Sequence, residues 1–303
     1  MDKVRRILVH ISKDGAVPQC ARFVQSIAGQ FSGAMEDQAV VRCVLEENRF
    51  IISAAEKDVG IPLKRPAFCP FKHLPVTEGA EISQDVQRRG VDVGVAILLQ
   101  SANQRVLLTR RAKGLRIFPN VWVPPGGHVE LDEELLDAGL RELREETGLR
   151  LEPEDVSPQI LGLWESAYPP MLSRGSPERH HIVTYMLLHT SLTHQQLQAY
   201  LRPEPAEVSG CMWADTALVR AIVSAVDGQD TPVCMEGLPS TISVSEVSED
   251  GMLTESALQV SVLCNRVPTS GADVERVSTG TKFALELWLK TLERSTGPGP
   301  AQD

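Results

Sequence analysis

The densest chemistry in the chain lies in residues 126–149, GGHVELDEELLDAGLRELREETGL. The stretch opens on a Gly-Gly turn behind two prolines and closes on Gly148, the loop and stop signals that bracket a helix. On a wheel of roughly 100° per residue, Glu146 lies about 40° to one side of Glu142 and Glu145 about 60° to the other. Leu136, Leu140 and Leu143 fall on a neighbouring face and read as the core-facing stripe. Like charges so spaced repel by a few tenths of a kcal/mol per pair, so this face calls for a cation. Oxygen ligands alone suit Mg²⁺ or Mn²⁺ rather than Zn²⁺, and a hard cation beside clustered carboxylates is equipment for phosphate chemistry. The plainer alternative is a solvated acidic face of chance spacing. Arg141 counts against it, because its fork of donors can orient the adjacent Glu142. So do Gly126 and Gly127, which let backbone carbonyls approach a metal closely.

From Gly127 the order is Gly, five residues, Glu133, seven residues, Arg141-Glu142-Leu143, one residue, Glu145-Glu146, one residue, Gly148-Leu149. This resembles the Nudix box, with every fixed position of that motif filled. The resemblance implies a loop-helix-loop metal site that cleaves a diphosphate linked to another moiety. It also implies a three-layer α/β/α sandwich around a mixed sheet. Glu142, Glu145 and Glu146 would hold Mg²⁺ or Mn²⁺, with the Gly126 carbonyl completing the shell, and the ion would polarise the attacked phosphorus. Glu133 would sit in the loop before the helix and support Arg141. Members of the family often carry a glutamate outside the box that joins the metal site or acts as base, for which Glu207 is the candidate; the base that takes the proton is either Glu145 or that outside glutamate.

The elements that must position this site run from about residue 90 to 230. Residues 91–99 form a nearly continuous apolar run, the mark of a buried strand, and 105–110 return from a turn as its hairpin partner. Arg110 and Arg111 follow with Lys113 and Arg116, just upstream of the box, and are candidates to meet substrate phosphates. Trp122 reads as a packing residue and His128 as a solvated loop histidine. Residues 159–166 form a strand carrying Trp164, and 168–177 a Pro- and Gly-rich loop of the kind that frames binding sites. Trp164 and Tyr168 could stack a purine, although Trp164 reads equally well as core. Residues 181–189, apolar on both faces, suit a sheet between helices. A strand at 208–213 and a helix at 216–226 complete the region.

On either side lie extensions. Residues 1–85 read as a small αβ region: a first strand within 1–12, a helix at 16–31, strands at 39–45 and 49–54, and a proline-rich basic linker at 61–74. Residues 231–303 read as a partly disordered, Ser/Thr-rich extension. It holds possible strands at 241–247 and 257–263, a docked helix at 282–292 and a disordered end at 295–303.

Acidic residues exceed basic ones by ten among 303, which argues against a general nucleic-acid binder and against DNA as a partner. It leaves room for a nucleotide-linked small molecule or the 5′ end of a capped RNA. Six cysteines without a CxxC pair, no secretory signal and no span for a bilayer point to reduced thiols in a cytoplasmic protein. Within the Nudix family, whole-chain character is similar to members that cleave the 5′ cap of RNA, which implies release of methylated GDP. The run LLTRRAKGLRIFPNVWVPPGG partly resembles the coenzyme A diphosphatases and departs from them at VWVPPGG. That leaves coenzyme A, its acyl esters or NADH as alternatives. A catalytically idle, nucleotide-sensing domain is a third reading. It fits poorly with a box that has kept all its glutamates.

Overall fold

The computed structural model describes residues 6–13, 16–55 and 59–296. The first part of the chain holds β1 (Leu8–Ser12), β2 (Gln19–Cys20), α1 (Ala28–Ser32), β3 (Gln38–Glu46), β4 (Arg49–Ala54) and β5 (Ile61–Lys64). Three short helices follow: α2 (Pro70–His73), α3 (Val76–Glu81) and α4 (Gln84–Gln87). Next come β6 (Asp92–Gln100), β7 (Val106–Arg111), β8 (Val121–Val123), β9 (Gly126–His128) and α5 (Leu135–Thr147). Then β10 (Val156–Tyr168), β11 (Arg179–Thr190), α6 (His194–Tyr200), β12 (Val208–Ala214) and α7 (Thr216–Ser224). The chain closes with β13 (Thr241–Val247), β14 (Leu253–Gln259), α8 (Val260–Leu263), β15 (Arg276–Val277) and α9 (Thr279–Thr296).

One mixed sheet takes in fifteen strands among the described residues, and β6 is its centre. Every residue of β6 is buried, as its unbroken apolar run requires when both faces are covered. On one face Val93, Val95, Ile97 and Leu99 pack with Ala138 and Leu143 of α5. Gly139 of α5 lies directly over Ile97 and Val95. On the other face Ala96 and Leu98 pack with Leu187 of β11 and with Phe283, Leu285 and Trp288 of α9. Helix, sheet and helix make the three layers expected.

The N-terminal strands differ from the separate region that the sequence suggests. Beyond β10 the sheet continues through β5, β3, β4 and β1, and β1 returns to β6 where Leu8 pairs with Asp92. Ile7, Val9, Val41, Phe50, Ile52 and Leu63 share one core with Val93, Ile97 and Ile182. Only Ala28–Ser32 of the helix expected at 16–31 forms. Pro18 cannot supply a helical N–H, and Gln19 and Cys20 pair with β1 instead. The linker expected at 61–74 contains β5, which joins β3 and β10. Its Arg65 is 1% exposed, hydrogen-bonded to Asp37, Ser26 and the carbonyls of Ala34 and Glu36. Proline and basic residues read as solvated chain, but a guanidinium whose donors are all met can be buried.

At the C-terminal end the first expected strand coincides with β13. The second is offset: β14 ends at Gln259 and residues from Val260 turn helical. The docked helix is longer than expected, beginning at Thr279. The reading of 295–303 as a disordered end falls, from 297 onward, outside the described residues, as do residues 1–5 of the expected first strand. No helix among the described residues is long and apolar enough to cross a membrane, and the six cysteines are free.

Candidate active site

The box folds as loop, strand and helix. Its glycines form β9, which pairs antiparallel with β6 through Gly126 to Ala96 and His128 to Gly94. Helix α5 then runs from Leu135 to a left-handed cap at Gly148, φ 75°, a conformation glycine adopts without a Cβ penalty. Gly127 is needed for a different reason. A Cβ there would stand 2.3 Å from Glu142 Oε1, so the bare backbone is what lets that carboxylate lie against the loop. Glu133 stands just before the helix, as expected.

Arg141 organises the acidic face. Its Nε donates to Glu133 Oε1 at 2.6 Å, and Nη2 donates to Glu133 Oε2 at 2.9 Å and to the His128 carbonyl at 3.0 Å. Nη1 donates to Glu142 Oε1 at 2.8 Å and to Glu145 Oε2 at 3.2 Å. One guanidinium therefore ties the loop to two of the three clustered carboxylates. The hydrogen bond from Arg141 holds the Glu133 carboxyl below its ordinary range, against the opposing effect of burial.

Glu146 is the buried member, 6% exposed. Burial pushes its carboxyl up to about 8; Arg111 and the Gly126 amide oppose this, and the charges of Glu142 and Glu207 reinforce it. Glu142 is likewise raised, first by burial and then by Glu145 and Glu207, with Arg141 opposing. Glu207, outside the box, thus lies within electrostatic range of Glu142 and Glu146. Its loop is held there by the Ala112 amide, which donates to the Glu207 carbonyl at 2.8 Å. A buried carboxylate raised by like-charged neighbours is out of balance without a cation. The donors are all oxygens, so the group fits a hard divalent ion.

Against β9 opens a cavity of about 280 Å³. Its walls include Gly126, Gly127 and Arg111 from the box side, Phe118 and Trp164, and Arg276, Ser278, Thr279 and Gly280 from the C-terminal segment. Arg110 and Arg111, expected together on phosphates, are separated by strand alternation, which sends neighbours to opposite faces. Arg111 reaches the cavity, with Nε on the Ile117 carbonyl at 3.2 Å. Arg110 is a correction: it packs over Trp122 and pairs with Glu246 and with Glu275, the latter at 3.1 Å. It is committed to joining the C-terminal hairpin to β7. Trp164 is 5% exposed and lies against Phe283, as a core residue does, and it also lines the cavity. Tyr168 is a second correction. Its hydroxyl donates to the Arg116 carbonyl at 3.0 Å and its ring stands edge-on to Phe118; Phe118, not Tyr168, reaches the cavity wall.

Sequence reasoning missed Arg276, His181 and Phe118 in this wall. Asp92, His128 and His181 also converge, with ligand atoms within 4.8 Å of one another. Pairing places all three on one face of the sheet: His181 is opposite Asp92, and His128 is opposite Gly94, two residues on. Arg6 already pairs with Asp92 at 3.1 Å. Burial, with cationic neighbours, holds both histidines below their ordinary value, His181 the further, and both line the cavity.

Residues 89–229 match the model of the NUDIX domain. The chain is 64% identical to a Danio rerio protein named m7GpppN-mRNA hydrolase, over 99% of this chain and 100% of that one. A Homo sapiens protein of the same name is 46% identical, over 94% of this chain and 92% of its own length. Among solved structures, a MutT protein from Methanosarcina mazei is 23% identical over 49% of this chain and 85% of its own, with a TM-score of 0.33.

Proposed function

The chain belongs to the Nudix hydrolases, and from that premise we propose that it hydrolyses a phosphoanhydride in the methylated 5′ cap of RNA, releasing methylated GDP. The observation that carries the hydrolytic part is the buried Glu146, raised to about 8 by burial and by Glu142 and Glu207, behind Gly126 at the edge of a cavity of about 280 Å³. The names of the relatives, m7GpppN-mRNA hydrolase, support the choice of substrate.

Glu142, Glu145 and Glu146 would hold Mg²⁺ or Mn²⁺, joined by Glu207 and the Gly126 carbonyl. Such an ion would supply charge neutralisation of the diphosphate and polarisation of the attacked phosphorus. Arg141 keeps Glu142 and Glu145 in position, and Glu133 in turn fixes Arg141. Glu145 or Glu207, both exposed, takes the proton from the attacking water. Arg111 meets the phosphates, and Trp164 and Phe118 give the base flat apolar surfaces.

Purified protein incubated with Mg²⁺ or Mn²⁺ and, separately, methyl-capped RNA, coenzyme A and NADH tests the reading. Methylated GDP from the first, at a rate well above the others, is expected. Faster cleavage of coenzyme A or NADH would replace the substrate. No cleavage of any, with a folded protein, would leave a nucleotide-binding domain.

A further inference from the structure

The C-terminal wall of the cavity carries a buried cation with unmet donors. Arg276 is 2% exposed, and its Nε and Nη1 have no hydrogen-bond partner among the described residues. Its Nη2 shares Asp273 Oδ1, at 3.3 Å, with Arg174 at 3.1 Å. Leaving a buried guanidinium donor unmet costs about as much as a lost hydrogen bond, or more for a charged group. A structural arginine such as Arg65 shows the alternative, with its donors satisfied by four different residues. Arg276 is therefore placed for something beyond the fold.

Two further features point to what it takes. Arg276 and the first residues of α9, Thr279 and Gly280, line the same cavity. The first N–H groups of a helix have no intrahelical partner and carry the positive end of its dipole. The Ser278 hydroxyl caps this end by accepting from the Thr281 amide at 3.0 Å and is also hydrogen-bonded to the Thr281 hydroxyl at 2.7 Å, which leaves the amides of Thr279 and Gly280 at the cavity. The charges around this end leave a cationic excess. Arg174, Arg276 and Lys282 face Asp273 and Asp227, with Lys282 on Asp227 at 3.0 Å and the Thr279 hydroxyl also donating to Asp227, at 2.6 Å. A buried excess of one positive charge beside a helix N-terminus selects an anion with several acceptor oxygens.

We propose that Arg276 and the N-terminus of α9 form a second anion-recognition site, which takes a phosphate of the substrate other than the one attacked at the box carboxylates. The proposal rests on reading this cavity as the substrate site, and it makes the C-terminal extension a determinant of specificity. Substrates whose phosphate bridge is longer than a diphosphate would be favoured, because they reach both walls at once.

The test uses the full chain in EDTA, so that it does not depend on turnover. GTP and guanosine are titrated against wild type and Arg276→Met by isothermal calorimetry, with melting curves to show that the variant folds. Wild type should bind GTP about tenfold more tightly than guanosine or better, and Arg276→Met should lose about tenfold for GTP while guanosine stays within about twofold. Arg276→Lys keeps the charge without the planar fork and should fall between the two; it carries the test if the methionine variant does not fold. A wild type that does not discriminate, or a variant that loses both ligands equally or neither, overturns the proposal. Loss of capped-RNA cleavage in the substrate panel with GTP discrimination intact would instead remove the substrate assignment and leave this site standing.

Discussion

The two walls of the cavity are built in opposite ways. On the box side, Glu133, Arg141, Glu142, Glu145 and Glu146 are near neighbours in sequence, and one helix with its preceding loop brings them together behind Gly126 and Gly127, which line the cavity. On the other wall, Arg276 arrives from a segment more than a hundred residues away, held by the pairing of β15 with β8 at Val121 and Trp122. The first wall is local structure with tertiary support, the second tertiary structure throughout. Chemistry that depends on one helix face leaves a periodic trace in the sequence; a site made by docking a distant segment leaves none. If this division is right, damage to the box should remove catalysis and leave binding, while damage to the docked wall should do the reverse.

The largest effect should follow from Glu146→Gln. It removes the buried charge while keeping the shape, and turnover should fall roughly a thousandfold. Stability should move the other way. The folded-state value near 8 lies above the ordinary 4.5, so the protonated form is the stabilised one. That contribution is complete below about pH 4.5 and is lost as pH rises through 8, at no more than about 1.4 kcal/mol per pH unit. In EDTA the wild type should therefore lose melting temperature across this interval, and Glu146→Gln should lose less and melt higher at pH 8. A variant no more stable than wild type there would mean that the carboxylate is solvated rather than buried. The division between the walls would then lose its electrostatic basis.

Arg141→Lys should come next. Lysine retains the charge but cannot reach Glu133, Glu142, Glu145 and the His128 carbonyl together, and loss of such orienting partners costs about ten- to a hundredfold in activity. Substrate affinity should change far less, since these contacts bind no substrate. A rise in KM equal to the fall in kcat would show that Arg141 touches the ligand directly.

How much of this was legible follows from the same physics. The helix, its cap at Gly148 and the convergence of Glu142, Glu145 and Glu146 are consequences of spacing, and the Glu133–Arg141 pair is close in sequence. Strands β6, β11 and β13 announced themselves by apolar runs or alternation. Arg65 was misread as part of a solvated linker, because nothing in its neighbourhood reports that Asp37, Ser26 and two carbonyls would gather around it. Glu165 was passed over likewise. It is fully buried and accepts from the amides of Ile27 and Ala28 at 2.7 and 2.8 Å and sits 3.1 Å from His180 Nε2, fastening the N-terminal segment to β10. Arg276 has no local signature at all. The one sign available was that the segment after residue 231 carries enough apolar residues in 282–292 to dock, and hence to bring its neighbours with it.

Arg110 and Arg111 sharpen the comparison within two residues. Arg111→Met should lower kcat/KM about tenfold, as loss of one charged phosphate contact does. Arg110→Met should leave kcat/KM within about twofold and cost about 1–3 kcal/mol of stability instead, because Glu246 and Glu275 lose their partner. Steady-state kinetics and urea melts on both variants decide the point. Equal kinetic losses would mean that the hairpin Arg110 supports is coupled to the site.

The smallest effect should come from Gly280→Ala, and it tests whether the docked wall is rigid. A Cβ at this position would stand 2.6 Å from the Tyr185 hydroxyl and 2.9 Å from Trp164 Cδ1, both closer than atoms can pack. Tyr185 has no room to yield, being buried in the core against Phe283 and Leu285, and its hydroxyl is bonded to Ser278 and Thr281 at the head of the same helix. The strain must therefore pass to Trp164 or to the first turn of α9. Overpacking of this kind costs about 1–3 kcal/mol, offset in part by the higher helix propensity of alanine. Because Trp164 and Gly280 both line the cavity, a shift of either narrows it, so KM should rise about threefold with kcat unchanged. Crowding of the docked segment would then act on binding alone, as expected of a wall that holds no catalytic carboxylate. A fall in kcat at constant KM would show instead that strain at α9 crosses the cavity to α5, and the two walls would have to be treated as one mechanical unit.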